Sequence, residues 1–80
     1  MNISADESRS LPVQTSRRIS ADLIINKLGP GTKLQPIRQL AKTYRVSYLT
    51  AQKAVKLLQE QGMVNSRPGD GIYVTERIAK

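Results

Sequence analysis

Residues 47–56 carry Ser47, Tyr48, Thr50, Gln52, Lys53 and Lys56, a set of hydroxyls, an amide and two ammonium groups with no carboxylate among them. Such groups match the outer surface of a nucleic-acid duplex. A glutamine amide pairs bidentately with adenine N6 and N7, hydroxyls reach base edges or phosphates, and ammonium groups neutralise phosphates. The mixture suits reading of bases better than uniform attraction to the backbone. Taken alone, a polar face of this kind is more often a solvated amphipathic helix, so the elements around it must decide.

Ala51, Ala54, Val55 and Leu58 recur at helical spacing behind those polar residues, which predicts a helix from Tyr48 to about Gln61 with Ser47 as N-cap and Gly62 as a left-handed stop. A shorter helix precedes it. Pro36 suits its first turn, and Ile37, Leu40, Ala41 and Tyr44 form its apolar stripe. A tight break at Tyr44-Arg45-Val46, with Val46 plugging the turn, joins the two into a helix-turn-helix whose second helix stands free to enter a major groove. Met63–Ser66 and Ile72–Thr75 read as strands of a hairpin through Arg67-Pro68-Gly69-Asp70-Gly71, which forms a wing. Upstream, a first helix is expected from Thr15 or Ser16, with Ile19, Leu23 and Ile24 as its apolar positions and Asn26 at its end. Gly29-Pro30-Gly31 then turns the chain into a small strand at Thr32-Lys33-Leu34. The expected class is mainly α (α+β), a winged helix-turn-helix of three helices and a two- to three-stranded wing. It spans residues 15–75, between a flexible arm at 1–14 and the start of a linker or tail at 76–80.

Composition agrees with a polyanionic partner. Eighty residues make one small domain, and 13 Lys and Arg against six Asp and Glu leave a net charge of +7. Between Lys33 and Arg67 there are seven basic residues and one acidic residue, Glu60, so the excess lies on the reading unit. Cysteine and histidine are both absent, and Asp6, Glu7, Asp22, Glu60, Asp70 and Glu76 are too scattered for a metal site or an acid/base pair. Gly69-x-Gly71 lacks the third glycine and the strand-to-helix setting of a dinucleotide fingerprint. The expectation is a binding module, not an enzyme, without cofactor or metal. The longest aliphatic run, Leu23-Ile24-Ile25, and the polar start are those of a soluble cytoplasmic protein with no membrane partner.

Individual positions carry two readings each. Arg38 is a phosphate or base contact or a surface arginine, and contact is favoured. Arg67 and the amides of Gly69 and Gly71 touch a neighbouring groove, or the glycines only satisfy the turn. Asp70 at the wing tip repels phosphate unless it meets a base such as cytosine. Leu49 packs on a thymine methyl or fills a gap against the first helix. Arg9 and Arg17-Arg18 could lie along DNA, but a solvated terminus is the preferred reading of the arm.

Leu28-Gly29-Pro30-Gly31, Leu34, Arg38, Leu40-Ala41, Val46-Ser47, Thr50, Ala54-Val55, Leu58, Gly62-Met63-Val64 and Gly69-x-Gly71-Ile72-Tyr73-Val74 stand in the order and spacing of one family. From about Ile19 to Val74 the sequence resembles the winged helix-turn-helix DNA-binding domain of GntR-family transcription regulators. The proline comes one place late, as Gln35-Pro36. Tyr48 and Gln52 stand where the family usually offers arginines, which puts guanine readout in doubt. Ile37-Arg38 and Gln52-Lys53-Ala54 look closer to a YtrA-like subgroup. The resemblance implies sequence-specific binding of double-stranded DNA, a palindromic operator, a repressor, a homodimer of the complete protein, and a small-molecule effector bound by a C-terminal domain absent from this chain. Arg38, Ser47, Tyr48, Thr50, Gln52, Lys53, Lys56, Arg67 and Gly69 are the DNA-facing residues on the two readings together. The alternative is a winged-helix module that binds a protein partner or RNA.

Overall fold

A computed structural model describes residues 3–75, with side chains from Leu11 onward. Three helices, α1 (Ile3–Ile25), α2 (Ile37–Tyr44) and α3 (Tyr48–Glu60), are followed by strands β1 (Val64–Arg67) and β2 (Gly71–Val74). The strands pair antiparallel with Val64 opposite Val74 and Arg67 opposite Gly71. Of the small strand expected at Thr32-Lys33-Leu34 only an isolated bridge from Lys33 to Tyr73 forms, so the sheet has two strands. The winged helix-turn-helix class expected from the sequence is the observed one.

The core is one cluster in which Ile19 and Leu23 of α1, Leu40 and Tyr44 of α2, and Ala54, Val55 and Leu58 of α3 meet Leu34, Val64, Ile72 and Val74. Alternation along β2 puts Ile72 and Val74 inside, so the wing's base belongs to the core. Half-buried Val46 and Ile37 pack against the cluster's margin.

The first helix departs from expectation at both ends. It begins at Ile3, not at Thr15 or Ser16, so the residues assigned to an arm form its first turns, with Pro12 inside the helix. Thr15 and Ser16 are buried within it, and their hydroxyls donate to the Leu11 and Val13 carbonyls at 2.9 and 2.7 Å. Such back-bonding lets residues that favour caps sit mid-helix. The left-handed stop is Lys27 (φ 53°), not Asn26. Leu28 N–H bonds Leu23 C=O and Lys27 N–H bonds Ile24 C=O, the paired bonds of a Schellman end. Ile24, expected on the buried stripe, is exposed. The side chain of Arg9 and the whole of Glu76–Lys80, the expected linker, lie outside the described residues. Elsewhere the differences are of one residue: Pro36 is the N-cap of α2, and both strands are shifted by a single position.

Candidate nucleic-acid interface

The turn between α2 and α3 is built by backbone hydrogen bonds. Arg45 takes the left-handed conformation (φ 57°), Val46 N–H bonds Ala41 C=O at 3.0 Å and Arg45 N–H bonds Lys42 C=O. This reversal sets α3 across α2. Ser47 then caps α3: its Oγ accepts from Thr50 N–H at 3.1 Å while its hydroxyl donates to Thr50 Oγ1 at 3.0 Å. Two expected DNA contacts, Ser47 and Thr50, are thus bound to each other at the helix start. Gly62 (φ 78°) ends α3, with Met63 N–H on Leu58 C=O.

With Ala51, Ala54, Val55 and Leu58 inside, α3 turns Tyr48, Leu49, Gln52, Lys53 and Lys56 to solvent. Leu49 is 57% exposed, which removes the gap-filling reading and leaves it beside the polar face. Arg38 is exposed at the start of α2.

Between α2, the start of α3 and the wing runs an open groove lined by Lys33, Arg38, Tyr48, Arg67 and Gly69, with Asp70 its only carboxylate. The structure therefore brings together four of the expected site residues, Arg38, Tyr48, Arg67 and Gly69. Gln52, Lys53 and Lys56 lie further along α3 and outside this groove. At the wing, Tyr73 Oη donates to Asp70 Oδ1 at 2.9 Å, and the Arg67 guanidinium lies 4.8 Å from the centre of the Tyr73 ring. The hydrogen bond to Asp70 raises the Tyr73 phenol above its ordinary value. The acid at the wing tip thus lines the groove while one of its oxygens is bound by the hairpin's own tyrosine. Gly69 needs its positive φ (76°) for the turn, whereas Gly71 does not have one. A Cβ on Gly71 would instead meet Lys33 Cε at 2.6 Å.

Behind the interface, Tyr44 ties α2 to α1. Its hydroxyl donates to Asp22 Oδ2 at 2.5 Å, and Arg18 lies 5.2 Å from the ring centre. Burial, then the hydrogen bond and charge of Asp22, push the phenol up to about 12, against the opposing charge of Arg18. Sequence reading missed the partners Lys33–Gly71, Arg67–Tyr73–Asp70 and Asp22–Tyr44. Only the small strand at Lys33, which must lie beside the wing, signalled any of them.

No group of His, Cys, Asp and Glu among the described residues is arranged to hold a metal ion, and no helix there is long and apolar enough to cross a membrane. Three helices, a free polar helix and a hairpin beside it define a winged helix-turn-helix of the kind carried by transcription regulators. Residues 12–74 match the pattern of the bacterial regulatory proteins of the gntR family, and the chain belongs to that family. It is 34% identical over 70 residues to the Uxu operon transcriptional regulator of Escherichia coli, a match covering 86% of this chain and 27% of that protein. The chain spans about a quarter of the length of such curated relatives. A GntR family regulator from Listeria monocytogenes superposes with a TM-score of 0.76 at 28% identity, over 85% of this chain and 61% of that one. The DNA-binding domain of AraR in complex with operator ORX1 superposes with a TM-score of 0.75 at 29% identity, over 81% and 78%.

Proposed function

We propose that this domain binds duplex DNA in a sequence-dependent manner, with α3 in the major groove and the wing along the adjacent backbone. The observation that carries this reading is the outward face of α3, where Tyr48, Gln52, Lys53 and Lys56 project together from a helix whose opposite stripe is buried. In this reading Gln52 pairs with a base, Tyr48 and Thr50 touch base edges or phosphate, and Lys53, Lys56, Arg38 and Arg67 neutralise phosphates. Ser47 supports Thr50, and Gly69 lets the wing's backbone approach. The resemblance to the AraR domain in complex with operator ORX1 supports duplex DNA as the partner.

The complete protein would read a two-fold operator as a homodimer and act as a repressor by occupying it, with an effector bound by a further domain. Titration of this chain with a duplex selected from a random pool and with its scrambled counterpart, over a salt series, tests the reading. We expect the selected duplex to bind at least tenfold more tightly, with a steep salt dependence for both. Equal affinity that vanishes at moderate salt would sink it and favour a module with a protein or RNA partner.

A further inference from the structure

We infer that Lys33, outside the helix-turn-helix, is a phosphate-contacting residue of the interface and that Gly71 is glycine in order to seat it. The inference rests on the DNA-binding reading above and adds a residue to it. Lys33 bridges Tyr73 across the sheet, and Tyr73 pairs with Asn65. Residues directly opposite across a sheet project from the same face. Lys33 thus shares the outer face of the wing with Tyr73, on whose ring Arg67 rests.

The lysine stem then runs across Gly71. A Cβ there would lie 2.6 Å from Lys33 Cε, so the flexible end of the lysine would have to move from its place over Gly71. Since Gly71 is not among the residues with positive φ, its backbone would accept alanine, and the space for the lysine is what the missing side chain supplies. Lys33 reaches the groove that Arg38, Tyr48 and Arg67 also line, and the one carboxylate there is held by Tyr73. Three cations face one groove against a single carboxylate that accepts a hydrogen bond from Tyr73, and this excess of positive charge suits a phosphodiester backbone.

The test uses the same selected and scrambled duplexes with wild-type protein, Lys33→Met, Lys33→Arg, Gly71→Ala and the Lys33→Met/Gly71→Ala double variant, each checked for native circular dichroism. Removing one phosphate contact should flatten the salt slope by about 0.9 and weaken both duplexes about fivefold near physiological salt. Lys33→Met and Gly71→Ala should each show this loss, Lys33→Arg should restore binding, and the double variant should be no weaker than Lys33→Met. An unchanged slope in Lys33→Met, while Lys56→Ala flattens it, overturns the inference and spares the DNA reading. Losses that add in full show that Gly71 acts independently of the lysine, and overturn the seating. Wild-type protein that binds neither duplex overturns both, whereas equal binding of the two overturns the sequence-dependent reading alone.

Discussion

The third helix and the wing meet at one groove, through Tyr48 and Arg67, but hold their polar groups differently. On α3 the backbone is anchored, by a capped start, a Schellman end and four buried residues, while the side chains of Gln52, Lys53 and Lys56 extend into solvent. On the wing the side chains are tied to each other: Arg67 on the ring of Tyr73, Tyr73 on Asp70, Lys33 across Gly71. A free side chain loses rotamer entropy when it binds, and a pre-placed one loses less. The helix is therefore suited to discriminating among base edges, to which its side chains adjust, and the wing to meeting a backbone that is the same everywhere.

Breaking the shared foundation should have the largest effect. Leu58→Asp places a charge at a position 1% exposed at the centre of the core, and roughly 4 kcal/mol or more of stability should be lost, seen as an unfolded circular dichroism spectrum at room temperature. Loss of binding without unfolding would mean that α3 is not anchored as described. Next comes the reading head: Gln52→Ala should relax preference at one base pair by about 1–3 kcal/mol, measured against single-substituted duplexes, whereas an equal loss on all of them would reassign Gln52 to the backbone.

Tyr44→Phe probes the α1–α2 tie that steadies the shorter helix, and should cost about 1 kcal/mol in denaturant titration. The phenol is raised in the folded protein, from its ordinary value of 10.0 to about 12, so the folded state holds a proton that the unfolded state releases between those values. Wild-type stability contributed by this group is present below pH 10 and lost as pH rises toward 12. Tyr44→Phe should remove that part of the alkaline decline, and an identical decline in both proteins would contradict the assignment. Tyr73→Phe should have the smallest effect, an affinity loss of about threefold on all duplexes as Asp70 is released toward phosphate, with the melting temperature unchanged.

Legibility followed the range of the interactions. The stripes of α2 and α3, the Ser47 cap, the Gly62 stop and the hairpin could be read from residues a few positions apart, and they appear within a residue of expectation. The start of α1 could not. Thr15 and Ser16 signal a cap in isolation, and only their hydrogen bonds to Leu11 and Val13 show them to be interior. Two of the left-handed helix ends, at Lys27 and Arg45, carry no glycine to announce them. Within the candidate site, the exposed face of α3 and the cations Arg38 and Arg67 were legible, but Asp70 read as a liability until its bond to Tyr73 was seen.

By itself the sequence determined the class of the domain, its exposed polar helix and its basic character, because periodicity, caps and turn residues act over a few neighbours and charge simply sums. Tertiary structure alone decided which of those charges converge. Lys33 meets Gly71, Arg18 and Asp22 meet Tyr44, and Arg38 faces Arg67 across a groove, because packing of the helices against the sheet base brings distant segments together. Such approaches depend on the registration of whole elements over one core, a quantity that no local pattern encodes.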